Sequence, residues 1–182
     1  MMLQRGFFAA LAGVLVVPVL VLAVGSGPAA ATVVQDPGPV TSPIPTNFWL
    51  ATSSGDVYAM GAAAALGSPA ATPLTRPIVG ITPTRSDAGY WLVASDGGIF
   101  TYGDAGFYGS IGSVHLNEPI VGMAPTPDGG GYWLVASDGG IFTFGDAGFY
   151  GSTGSVHLHQ PIVGMAPTPD GHGYWLFASD GG

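Results

Sequence analysis

The chain has 182 residues, a formal net charge of −8 and no cysteine. Eleven Asp and Glu stand against three Arg and no Lys, so the basic groups that neutralise phosphates are missing and nucleic-acid binding is set aside. Without cysteine there is no disulfide framework, thiolate metal site or thiol nucleophile, while 31 Gly and 16 Pro break a 47% apolar content into short runs that read as strands joined by tight turns.

Residues 1–31 carry the three parts of a secretory signal. Arg5 lies beside the terminal amine, an apolar stretch runs from Phe7 to Val24, and Ala29, Ala30 and Ala31 precede Thr32 as a cleavage site. The stretch approaches the ~20 residues that span a bilayer, so an uncleaved anchor is the alternative and the one route to a membrane. Pro18 and the Gly25-Ser26-Gly27-Pro28 break favour cleavage, which places the protein outside the cell or on its surface. Residues 32–46, with Pro37, Pro39, Pro43 and Pro45, form an extended Pro-rich linker.

From residue 47 the chain repeats. Trp49, Trp91, Trp133 and Trp175 are each 42 residues apart. Residues 77–118 and 119–160 agree at 32 of 42 positions, and residues 161–182 agree with the preceding copy at 20 of 22. Residues 47–76 are a more divergent partial copy. Within 119–160, the apolar run Pro119 to Ala124 leads through Pro127-Asp128-Gly129-Gly130-Gly131 to Tyr132–Ala136, and the Asp-Gly turn predicts antiparallel pairing of the two runs. Ser137-Asp138-Gly139-Gly140 opens onto a third strand, Ile141 to Phe144, and Gly145-Asp146-Ala147-Gly148 opens onto a fourth, Phe149 to Ser152.

Four short strands per 42 residues predict an all-β, propeller-like array of four-stranded antiparallel blades, here a fragment of a longer propeller. An open β-solenoid, or a chain that closes by self-association, is the alternative. The string Gly131-Tyr132-Trp133-Leu134-Val135-Ala136-Ser137-Asp138-Gly139-Gly140-Ile141-Phe142, continued by Phe144-Gly145-Asp146-Ala147 and Phe149-Tyr150-Gly151-Ser152, resembles the tandem repeats of secreted actinobacterial proteins. Those repeats occur alone or beside hydrolase domains. More loosely, the order of aliphatic strand, Asp-Gly turn and aromatic-Gly strand is similar to the propeller repeats of the regulator of chromosome condensation family. Neither resemblance implies a catalytic residue.

The recurring Asp residues are the first candidates for chemistry. Asp96, Asp138 and Asp180 share one turn, Asp104 and Asp146 a second, and Asp128 and Asp170 a third. Calcium is the one cofactor they suggest, with Asp96, Asp138, Asp104 and Asp146 as ligands. Asp before Gly is also an ordinary turn residue, and Ser54 and Ala62 replace two of these positions in the partial copy. His115 and His157 are equivalent, and His157 and His159 share one side of an extended segment, although two imidazoles do not close a metal site. A set such as Ser95, His115 and Asp104 recurs with the repeat, which speaks for scaffold over catalysis.

Aromatic residues recur as Tyr90-Trp91 with Phe107-Tyr108, and Tyr132-Trp133 with Phe149-Tyr150. The Trp rings are assigned to the core between units. Tyr90, Tyr132, Tyr174, Tyr108 and Tyr150 are the candidate ligand contacts, since one member of each Tyr-Trp pair faces the other side of its strand. The expected function is a non-catalytic secreted or cell-surface module for a glycan or an extracellular protein. The alternative is the accessory repeat region of a secreted cell-wall, ester or peptide hydrolase whose catalytic domain lies elsewhere.

Overall fold

The structure, a computed structural model, describes residues 47–182. The signal and linker assignments fall on residues 1–46, outside the described residues. The described residues are all-β apart from a single 3-10 turn at Pro69–Ala71, and they form small antiparallel sheets.

Strands β1 (Phe48–Ala51) and β2 (Val57–Met60) make the first sheet. Strands β3 (Ile78–Pro83), β4 (Gly89–Ala94) and β5 (Ile99–Gly103) make the second, in the order β3-β4-β5. The third repeats it with β6 (Ile120–Pro125), β7 (Gly131–Ala136) and β8 (Ile141–Gly145), and the fourth pairs β9 (Ile162–Pro167) with β10 (Tyr174–Ala178). The hairpin through Asp128-Gly129 forms as its turn chemistry requires, with Met123 opposite Leu134 and Ala124 opposite Trp133. Gly129 takes φ 78°, the left-handed conformation this turn needs.

Each full unit has three strands, where four were expected. Phe107–Ser110 and Phe149–Ser152 are loops, because their backbone groups are satisfied by side chains of the neighbouring unit and not by a ladder. Tyr108 N–H donates to the Tyr132 hydroxyl (3.2 Å), Tyr150 N–H donates to the Tyr174 hydroxyl (3.1 Å), and Gly109 and Gly151 take left-handed φ values that interrupt an extended run. The four sheets are separate and do not close into a ring.

Successive sheets stack in chain order, with β3 beside β6 and β6 beside β9. This explains why every residue of β4 and β7 is buried: each central strand is covered by a neighbouring unit on both faces, so its apolar run is continuous and does not alternate. A backbone seam ties the stack together. The Ile78, Ile120 and Ile162 amides donate to the carbonyls of Ser53, Ser95 and Ser137 in the preceding unit, at 3.0, 2.9 and 2.8 Å. The Ser95, Ser137 and Ser179 amides donate in turn to Pro77, Pro119 and Pro161, so each Pro-Ile peptide group bridges two Ser turns. One core cluster fills the junction between units 77–118 and 119–160, where Trp91, Val93 and Ile111 meet Ile120, Tyr132 and Leu134.

Candidate functional site

The five tyrosines named from the sequence divide into two groups. Tyr90 and Tyr132 are fully buried and offer no free ring face to a ligand, while Tyr174 is half-buried. Their hydroxyls fasten one unit to the loop of the unit before it. Tyr132 donates to the Gly109 carbonyl at 2.6 Å, while Tyr90 and Tyr174 donate to Gly67 and Gly151. Burial, with a smaller contribution from Tyr102, pushes the Tyr90 phenol up to about 12, and burial raises Tyr132 and Tyr174 as well. The strand does not alternate between core and solvent at this pair because a second unit covers the face that Tyr was expected to expose.

Tyr108 and Tyr150 are exposed, and their hydroxyls donate to Gly129 (2.8 Å) and Gly171 (3.1 Å) in the next unit. Beside them stand Phe107 and Phe149, 61% and 62% exposed. The backbone on either side of each Phe is fixed. The Trp91 indole N–H donates to Gly106 at 2.7 Å on one side of Phe107, and Tyr108 N–H donates to Tyr132 on the other. Trp133 holds Gly148 at 2.6 Å beside Phe149, and Tyr150 N–H reaches Tyr174. Two apolar rings are thus held toward solvent at equivalent places, one repeat apart. Sequence reading saw both Phe residues recur but did not separate them from the core, because only the missing fourth strand leaves them uncovered.

The carboxylates have local partners. Asp96, Asp138 and Asp180 accept the amides of Gly98, Gly140 and Gly182 inside their own turns, at 2.9, 2.8 and 3.2 Å. Asp104 accepts the hydroxyls of Ser86 and Thr84, the latter at 2.8 Å, which hold its carboxyl below the usual range. Asp146 accepts the Thr126 hydroxyl at 2.9 Å, and Asp128 lies at the same distance from that oxygen while accepting Gly130 N–H. Asp128 and Asp170 are also held low, first by the Gly130 amide and by the Thr168 hydroxyl respectively. Among the described residues no three His, Asp or Glu side chains come together in a way that could hold a metal.

A second pair of features lies at the Ser-Asp-Gly-Gly turns. A cleft of about 530 Å³ includes Arg76, Ser95, Asp96, His115, Asn117 and Glu118. Its counterpart one unit later, about 320 Å³, includes Glu118, Ser137, Asp138, His157 and His159, so Glu118 borders both. His157 and His159 share a side as expected, with ring centroids 6.4 Å apart. Ser95 and His115 line one cleft, but Asp104 is bound to Thr84 beyond the opposite end of β4, so those three do not form a triad.

Comparison with protein-family models finds no match, and comparison with curated proteins finds none either.

Proposed function

We propose that residues 47–182 are the binding part of a secreted or cell-surface protein, with successive units arranged as propeller blades that present Phe107 and Phe149 to an extended glycan. The observation that carries this reading is the pair of exposed, equivalent rings on loops fixed by Trp91, Trp133, Tyr132 and Tyr174. A loop whose backbone is already fixed loses little backbone entropy on contact, and the flat apolar face of the ring it carries suits the C–H face of a sugar. One ring per unit provides a multivalent surface, on which weak single contacts add through effective concentration. The repetition of most polar candidates favours recognition over turnover, since a catalytic set is normally built once.

The test is retention of the purified chain on insoluble cell-wall glycan, with affinity electrophoresis in gels containing soluble β-glucan or glycol chitin. Binding that is lost in Phe107→Ala/Phe149→Ala, with thermal unfolding unchanged, supports the reading. Binding that survives in the double variant sinks it. So does hydrolysis of the glycan that persists through repeated purification.

A further inference from the structure

We infer that the glycan this chain selects is an extended β-1,4-linked one, with Phe107 and Phe149 stacking on every second sugar ring. The inference rests on the glycan reading and deepens it, because the spacing of the same two rings fixes the linkage of the ligand.

One sheet separates the two loops. Tyr132 and Phe144 are cross-strand partners in β7 and β8, and the loop that carries Phe107 lies against their face of the sheet. Tyr108 is 5.6 Å from Tyr132 between ring centroids, and a Cβ on Gly109 would collide with the Phe144 ring. Trp133 is the next residue along β7 and faces the opposite side. There its indole N–H donates to Gly148 at 2.6 Å and its ring lies 6.4 Å from Tyr150, so the loop that carries Phe149 covers that side.

The two loops are held in the same way. Trp91 donates to Gly106 as Trp133 donates to Gly148, and the Tyr132 hydroxyl receives Tyr108 N–H as the Tyr174 hydroxyl receives Tyr150 N–H. Phe149 is therefore a copy of Phe107 displaced by one sheet-to-sheet step, about 10 Å.

That step selects a linkage. In an extended β-1,4 chain successive pyranose rings turn over, so every second ring presents the same face to the same side, and two sugars span a length close to that step. One sugar then stacks on Phe107 and the second beyond it on Phe149, with the sugar between them bridging. Chains linked α-1,4 or β-1,3 coil, and do not return the same ring face to the same side at that spacing. The Tyr108 and Tyr150 hydroxyls are already donated to Gly129 and Gly171, so they have no hydrogen left for a sugar substituent. Selection falls on the linkage and not on the substituents.

The test titrates the full chain with chito- and cello-oligosaccharides of two to six sugars by isothermal calorimetry. Its retardation in gels is compared between hydroxyethyl cellulose and β-1,3-linked laminarin. The expected result is an affinity that rises on the order of tenfold or more between two and three sugars in both series, as the second ring engages, with retardation by hydroxyethyl cellulose and little by laminarin. Phe107→Ala and Phe149→Ala each remove the step at three sugars, at most halve disaccharide binding, and leave thermal unfolding unchanged. A step at another length, no step, or a step that survives either variant overturns the inference, and so does equal retardation by the two polymers. If binding in those cases is still lost in the Phe107→Ala/Phe149→Ala double variant, the glycan reading stands without the linkage. A chain that binds no glycan overturns both.

Discussion

The hydroxyl of Tyr132 donates to the carbonyl of Gly109 at 2.6 Å and accepts the amide of Tyr108 at 3.2 Å, so one phenol from unit 119–160 satisfies two backbone groups of unit 77–118. Those two groups belong to the segment in which a fourth strand was expected. The latch replaces the ladder.

Tyr132→Phe removes the latch and keeps the ring, leaving a donor and an acceptor without their partner. The expected loss is about 1–2 kcal/mol of unfolding free energy, measured as a lower urea midpoint with an unchanged slope. Tyr174→Phe costs less, because its junction is half-exposed and water can replace the hydroxyl. Equal losses at the two positions would mean that burial does not set the strength of the latch.

Much of the fold is legible in the sequence. The Trp spacing marks the units, and the Asp128-Gly129 turn marks the hairpin that joins β6 to β7. Strand β8 follows from the Gly pair before Ile141. Two features were not legible, for one physical reason: both depend on what a neighbouring unit covers. Tyr132 reads as the outward partner of Trp133 only if the strand has one solvent face, and stacking removes that face. Phe149-Tyr150-Gly151-Ser152 reads as a strand on residue preference alone, and bonds to the next unit draw it into a loop. The exposure of Phe107 and Phe149 follows from the same event, so the candidate surface appears only once the units are stacked.

Two glycines with the same backbone conformation separate the effect of φ from the effect of space. Gly145 has φ 66°, and a Cβ there would lie 2.2 Å from the Gly130 carbonyl oxygen, an immovable backbone atom. Gly129 has φ 78° and nothing within 4 Å of the same position. Gly129→Ala is expected to cost about 1–2 kcal/mol from the left-handed conformation alone. Gly145→Ala pays that and forces the β7 to β8 pairing apart, so its thermal midpoint falls well below that of Gly129→Ala. Equal midpoints would show that the β8 end of the sheet yields without cost.

Acid destabilises the fold through the carboxylates held low. Asp104, Asp128 and Asp170 bind protons less readily folded than at their ordinary value of 3.8, so the folded state holds fewer protons than the unfolded one near that pH. Their contribution is complete above about pH 5, and is lost as pH falls through 3.8 toward the lowered folded values. Ser86→Ala removes the largest cause of the Asp104 shift. Its thermal midpoint lies below that of the parent chain at pH 7, and the two curves converge as the pH falls through 3.8 into the lowered range of Asp104. A constant gap across that range would show that Ser86 acts through packing and not through the Asp104 charge.

The two full units differ at this same turn, and the difference makes the last prediction. In unit 77–118 the Ser86 and Thr84 hydroxyls each donate to Asp104. In unit 119–160 Asp128 stands in place of Ser86, and the Thr126 oxygen lies 2.9 Å from both Asp128 and Asp146. The two carboxylate oxygens are therefore within twice that distance of each other, and Thr126 has one hydrogen to give, so one of the two charges goes without it. Asp128→Ser replaces a like-charge neighbour with a second donor to Asp146. It also keeps the turn, since Ser86 already accepts Ala88 N–H at 3.2 Å as Asp128 accepts Gly130 N–H at 3.2 Å. The substitution is expected to raise the thermal midpoint at pH 7. The gain shrinks in acid, as protonation of Asp128, whose carboxyl is held below 3.8, removes the repulsion the substitution relieves. A gain that persists in acid would assign the effect to turn geometry, and a loss at pH 7 would show that the Asp128 turn bond outweighs the repulsion.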